Sequence, residues 1–284
     1  MTMTLFMRLF FKFNLDHDME DLIEGYEEML DLVVEGGFQW VDVTSWEIDV
    51  LGLDFVAEQL KKHSLRVSSV IHPDQFAAGG ETEMVNRIEK AKKIADAAYA
   101  MSCDVFMLVP QAQPDVNECS REWLHQRMIE HFAPILAYAK TRGLHVVIED
   151  TPDLKLQLCR ASDVKEILDA VPGLELAYDS GNMILMGENP LTYLRQFTGR
   201  IGYVHLKDIR EAPNDSMMVD LAQDGTPMSS APIGTGLIDL SAVIQALKST
   251  DYEGSFSVEF FVDDDRNYLK SIKRTKEYIM GLIS

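Results

Sequence analysis

Residues 174–208, LELAYDSGNMILMGENPLTYLRQFTGRIGYVHLKD, decide the fold. Two apolar strand-like runs, LELAYD ending at Asp179 and GYVH ending at His205, flank a helix-like segment from Leu191 to Phe197. Strand, helix and strand within about thirty residues make one unit of a parallel α/β sheet. Each strand delivers, at its carboxyl end, a residue that can bind a metal.

The pattern repeats outward in both directions. HVVIE ends at Glu149 and SFSVE ends at Glu259. Glu149 and Asp179 are 30 positions apart, and Asp179 and His205 are 26. Both spacings are near the roughly 30 residues per unit of a (β/α)8 TIM barrel. The 54 positions from His205 to Glu259 fit one further unit with a long loop. Parallel barrel strands deliver their carboxyl-terminal groups to one shared mouth, so the four residues converge. Three carboxylates and an imidazole suit one divalent ion: Mn²⁺ first, with Mg²⁺, Co²⁺ or Zn²⁺ as alternatives. A structural zinc site would prefer thiolates. The chain reads as a metalloenzyme.

Eight β-rich runs alternate with helical stretches along the 284 residues, which predicts an α/β chain folded as one (β/α)8 TIM-barrel domain over 1–284. The runs lie near LFMRLFFKF, FQWVDVTSW, LRVSSVIH, CDVFMLVP, HVVIED, LELAYD, IGYVHLKD and SFSVEFF. Ser162 is placed to cap one helix and Gly143 to end another. A doubly wound open sheet is the alternative, but no G-x-G-x-x-G follows the first run. Ile209 to Gly236 is the long irregular stretch and falls after strand seven. Gly225, Gly234 and Gly236 are hinge candidates in a lid, with Met217, Met218 and Met228 as apolar cover. A fixed oligomer contact is its competitor.

A formal charge of −20 argues against nucleic acid and against an anionic membrane as partners, since both demand a cationic surface. The three cysteines, Cys103, Cys119 and Cys159, show no CxxC spacing and read as reduced thiols of a cytoplasmic protein. The apolar start, broken by Arg8 and Lys12, reads as a first barrel strand and its lead-in, not a signal peptide.

Strand alternation checks the site independently. The neighbours of the four residues, such as Val146 and Ile148, Leu176 and Tyr178, Val204 and Leu206, and Val258, are apolar and suit the outer face. The four polar residues then face the barrel axis, where an unpaired carboxylate is costly. Taken singly, each would be a helix-capping or salt-bridging acid at a strand end.

IEDTPD around Glu149, LAYDSGNM around Asp179, GYVHLKD around His205, the PIGTGLID loop and SVEFF around Glu259 resemble the sugar phosphate isomerase/epimerase superfamily. These are the xylose-isomerase-like TIM barrels of the AP-endonuclease-2 type. The resemblance is most specific from residue 145 onward. It implies that Glu149, Asp179, His205 and Glu259 bind one divalent metal, and that Glu149 and Glu259 move substrate protons. One position departs from the pattern. Where the family often has histidine three residues after the strand-six aspartate, this chain has Asn182. Asn182 can hydrogen-bond to substrate but cannot carry a proton. The histidines needed for an endonuclease IV-like three-metal site are missing from FMLVPQ and from the loop after His205.

Further residues are candidates to touch substrate. Lys207 shares the inward parity of His205 and can hold a carboxylate, a phosphate or a developing enolate; its bland alternative is pairing with Asp208 or a ligand. Arg210 opens the long loop. His72 closes strand three, Glu47 follows VDVTSW, and Trp46 can wall a sugar ring, although core packing is the default for tryptophan. His17, His63, His125, His131 and His145 read as structural or exposed.

The expected substrate is a small sugar, sugar phosphate or polyol ketone, and a homodimer or homotetramer is compatible with the reading. The expected reaction is isomerisation or epimerisation by proton transfer through an enediolate stabilised by the ion. The alternative is an inosose-type dehydratase using the same site. A non-catalytic sugar-binding protein is a third reading, against which the complete ligand set argues.

Overall fold

The computed structural model describes residues 3–7, 19–112, 119–213, 219–250, 252–261 and 266–283. Elements are numbered in chain order. Eight parallel strands close a barrel: β1 (Met3–Met7), β2 (Trp40–Thr44), β3 (Arg66–Asp74), β4 (Val105–Pro110), β5 (His145–Glu149), β6 (Glu175–Asp179), β7 (Ile201–Leu206) and β11 (Phe256–Phe260). Closure comes from β11, which pairs with β7 on one side and with β1 on the other, Phe6 opposite Glu259. The outer ring is α1 (Met19–Glu35), α3 (Leu53–Lys62), α4 (Glu81–Ala100), α5 (Arg121–Lys140), α6 (Ala161–Ala170), α7 (Pro190–Gln196), α8 (Leu240–Lys248) and α9 (Tyr268–Ile283). The expected single TIM barrel is the fold.

Strand alternation separates two apolar regions. Val146, Ile148, Leu176, Tyr178, Val204, Leu206 and Val258 join the large core between strands and helices, as their parity predicts. Ile71, Met107, Val147, Ala177 and Tyr203 form a second cluster inside the barrel. The site residues stand above that inner cluster.

Three local expectations are corrected. Ser162 does not cap α6: the N-cap is Arg160, and the orphan Ala161 N–H donates 3.0 Å to Glu188 Oε2 from the next loop. A short helix, α2 (Ser45–Leu51), follows β2 directly, so Trp46 and Glu47 are helical. Its start carries a Thr44-x-x-Glu47 capping box, a sequence signal that was present and strong.

The third correction concerns the stretch after strand seven, which is not irregular throughout. It contains β8 (Asp208–Glu211), β9 (Asp220–Leu221) and β10 (Pro227–Ala231), an antiparallel sheet ordered β8-β10-β9. Proline and serine in β10 hid its strand character, and its pairing partners supplied it. Buried Asp208 locks the return of the loop. Its carboxylate accepts the N–H groups of Gly234 (3.0 Å) and Gly236 (2.8 Å) through Oδ2, and of Ile238 (3.2 Å) through Oδ1. Gly234 and Gly236 are thereby tied to Asp208 in this conformation, and Met228 is buried in the core. Met217 and Met218 lie outside the described residues, as does His17.

Candidate metal and active site

Glu149 and Asp179 end β5 and β6, and His205 is the penultimate residue of β7; the three strands are adjacent in the barrel. Each offers one ligand atom, and the three atoms lie within 4.8 Å of one another. His205 Nδ1 is 2.6 Å from Glu149 Oε1, and Nε2 is 3.5 Å from Asp42 Oδ2. Burial pulls the imidazole pKa down, but the carboxylates of Glu149 and Asp42 outweigh it and lift it well above the ordinary value.

Asp179 is fully buried at the start of a 3-10 helix, Asn182–Met186, that the sequence reading did not anticipate. Its Oδ1 accepts from Gly181 N (2.7 Å) and Asn182 N (2.8 Å). Its Oδ2 has no hydrogen-bond partner among the described residues. Burial raises its pKa to about 7; Lys207 opposes the rise and Glu259 and Glu149 add to it. A buried carboxylate oxygen without a donor, facing a second carboxylate and an imidazole, fits a divalent cation better than any neutral group. The donor set passes that chemical test.

Glu259, on β11, does not fall within the 4.8 Å grouping. Its Oε2 is instead 3.3 Å from Lys207 Nζ, and the same ammonium is 3.1 Å from Asn182 Oδ1. Asn182 is oriented through its amide, which donates 2.8 Å to the Asp150 carbonyl. Ser180 fixes the Lys207 backbone by receiving its N–H (2.8 Å) and donating to its carbonyl (2.7 Å). Lys207, Asn182 and Glu259 are thus brought together beside the triad. Glu149 keeps 12% of its side chain exposed, against 1% for His205 and 2% for Glu259, so it is the more exposed of these two acids.

The other candidates lie elsewhere. Ile71 faces the barrel interior, which turns His72 outward, fully buried between strand and helices. Its Nδ1 bonds Ser45 Oγ at 2.8 Å, and its ring stacks on Phe106 and meets Phe76 edge-on. Burial lowers its pKa to about 4, so it is a neutral core histidine. Glu47 is 4% exposed and closes the capping box by accepting the Thr44 backbone N–H; the same Oε2 also accepts the Thr44 hydroxyl at 2.8 Å. Burial raises its pKa to about 7 against the lowering effect of those Thr44 hydrogen bonds. It lies beneath α1 beside Tyr26 and Met29. Trp46 is half-buried in α2, and Arg210 sits in β8 opposite Ser229. His63, His125 and His131 bond backbone carbonyls, and His145 is exposed.

Sequence reasoning missed Asp42. It is the polar position between Val41 and Val43, with inward parity on β2, and is 6% exposed. An acid alternating with two apolar residues was the available signal.

A xylose isomerase-like TIM barrel family model matches residues 30–278. The chain belongs to that family. Among similar proteins, inosose dehydratase of Bacillus thuringiensis (strain Al Hakam) is 30% identical over 177 residues, covering 60% of this chain and 57% of that protein. An inosose dehydratase of Bacillus cereus is 31% identical over the same length and coverage. The aligned part thus spans little more than half the length of these relatives. Among solved structures, an IolI protein with a bound zinc atom superposes with a TM-score of 0.76 at 18% identity, covering 100% of this chain and 98% of that one. D-psicose 3-epimerase with D-tagatose, from Clostridium cellulolyticum H10, gives 0.77 at 11% identity and full coverage of both chains. At such identities the structures speak for the fold alone. No described helix is long and apolar enough to cross a membrane.

Proposed function

We propose that this protein is a divalent-metal-dependent enzyme that removes and returns the proton beside the carbonyl of a sugar, sugar phosphate or polyol ketone, as an isomerase or epimerase. The observation that carries the reading is the convergence of Glu149, Asp179 and His205 at the carboxyl end of the barrel, where TIM-barrel chemistry takes place. These residues would hold the ion, with Mn²⁺ as the favoured metal, and Glu259 would join as fourth ligand by turning from its Lys207 contact. When bound, the ion supplies a Lewis acid that acidifies the carbon acid.

The chain's own groups do the rest. Glu149, the most exposed of the acids, takes the proton from one face of the substrate; Glu259 serves the other. Lys207 holds the developing enolate oxygen, and Asn182 keeps its ammonium aimed by accepting from Nζ at 3.1 Å. Return of the proton to the same carbon inverts it; return to the neighbouring carbon exchanges aldose and ketose.

A second reading, inosose-type dehydration, is favoured by the named relatives and by one contact. Lys207 Nζ, 3.3 Å from Glu259, can donate a proton directly to a departing β-hydroxyl while Glu259 holds the ammonium in place. Incubation of metal-loaded protein with ketoses, ketose phosphates and inososes in D₂O tests both. Deuterium incorporated without loss of water supports the first; a new enone or diketone absorbance supports the second. The absence of both signals on every substrate would overturn the proposal.

A further inference from the structure

The inner wall of the barrel holds a buried polar column that the reaction above does not use. Tyr203 Oη lies 2.6 Å from Ser68 Oγ, 3.2 Å from Thr4 Oγ1 and 2.6 Å from Asp42 Oδ1. All four residues are buried, Asp42 to 6% and Tyr203 to 1%. An ionised carboxylate only accepts, so the Tyr203 hydroxyl donates to Asp42 and its oxygen receives the serine and threonine hydroxyls. The other Asp42 oxygen, Oδ2, stands 3.5 Å from His205 Nε2, an ion-pair separation longer than a hydrogen bond, while Nδ1 on the opposite edge of the ring is 2.6 Å from Glu149. The Tyr203 ring meets the His205 ring edge-on at 5.7 Å and limits its rotation.

We propose that Asp42, anchored by Tyr203, is the positioning residue that holds the His205 proton on Nε2 and so leaves the Nδ1 lone pair directed at a cation shared with Glu149 and Asp179. The inference rests on the metal-site reading given above. A metal-binding imidazole needs its second nitrogen fixed by an acceptor, and loss of that acceptor weakens metal affinity about 10–100-fold. Asp42→Asn sharpens the case. The amide oxygen of the new side chain takes the Tyr203 hydrogen bond, which turns its NH₂ toward Nε2. Two donors then face each other, and the ring is driven to the tautomer with its proton on Nδ1.

The probe is Zn²⁺ alone, titrated in competition with a chromogenic chelator into wild type, Asp42→Asn and Tyr203→Phe. Asp42→Asn should bind about 10–100-fold more weakly. Tyr203→Phe keeps the carboxylate but removes one hydrogen bond that aims it, and should lose about fivefold. Nitrogen-15 histidine spectra of the metal-free protein, taken where the His205 ring is neutral, should show the Nε2–H tautomer in wild type and a shift toward Nδ1–H in Tyr203→Phe, a signature that a merely structural aspartate would not set. Should Asp42→Asn fail to fold, Tyr203→Phe and the spectrum decide alone. A folded variant binding zinc as tightly as wild type, or an unprotonated Nε2 in wild type, overturns the proposal while leaving the metal site standing. Wild-type protein that takes up no zinc removes both.

Discussion

Lys207 Nζ lies 3.3 Å from Glu259 Oε2, with 8% and 2% of the two side chains exposed. A buried ammonium and a buried carboxylate at this distance compensate one another, and removing one partner leaves the other stranded. The pair therefore connects a candidate base to a candidate anion holder. Glu259→Gln should abolish solvent exchange of the substrate α-proton, with a rate loss of about 10²–10⁴-fold. Nuclear magnetic resonance in D₂O reads it directly; retained exchange would remove Glu259 from the proton path.

Asp179 should lower the stability of the metal-free protein as pH rises from about 4 to 7. Asp179 has its folded pKa raised to about 7, above an unfolded value of about 3.9, so the folded state binds the extra proton across that window. Stability from this group is complete below the lower value and is lost as pH climbs through the higher one. His205, also raised, acts in the same direction above about 6.5. Thermal melts in a chelator should show a flatter pH dependence for Asp179→Asn than for wild type.

Saturating divalent metal should reverse that trend, since a cation favours the ionised forms. At a free concentration of about 100 times Kd, the gain is about 2.7 kcal/mol. Melting with and without Mn²⁺ at pH 7.5 measures it; an unchanged melting temperature would contradict a metal site.

Glycine at position 236 is a steric requirement. A Cβ there would meet Asp208 Oδ1 at 2.2 Å and the Ile209 carbonyl at 2.3 Å. Gly236→Ala should cost about 1–3 kcal/mol in denaturant unfolding. Gly225, with φ +86 and open space around it, should cost about 1–2 kcal/mol through backbone strain alone. Only the first should also disturb substrate affinity, because Asp208 follows Lys207 in the chain.

Glu47 offers a clean separation of cap from contact. Thr44→Ala removes the hydroxyl half of the capping box and should destabilise by about 1 kcal/mol. Glu47→Gln should leave KM unchanged if the side chain serves only the cap. A raised KM in a variant of wild-type stability would return it to the substrate site.

The barrel and its inward residues were legible because strand parity and strand-end position are sequence-local. Glu149, Asp179 and His205 each sit at the end of an apolar run, and three adjacent strands then did the assembling. His72 was misread because it lies within β3, two residues before its end, with the opposite parity: Ile71 takes the interior, and the imidazole packs on Phe106. The sheet after strand seven was hidden for another reason. Its strands are only 2–5 residues long and are set by the side chain of Asp208, which captures three N–H groups more than 20 residues away. Asp42 escaped because its meaning depends on Tyr203, 161 residues distant.

Closure of the barrel by β1 and β11 has a consequence for assembly. The first and last barrel strands must meet across most of the chain's length before the ring is complete, a contact of very high sequence separation. Asp179 and His205 can stand on their strands earlier, but the enclosure that dries them cannot. On the proposed reading of the triad as a metal site, a nascent chain would hold an ion weakly until the strand 256–260 docks, and tight uptake would follow that event. Metal capture would serve as a built-in report on a finished ring.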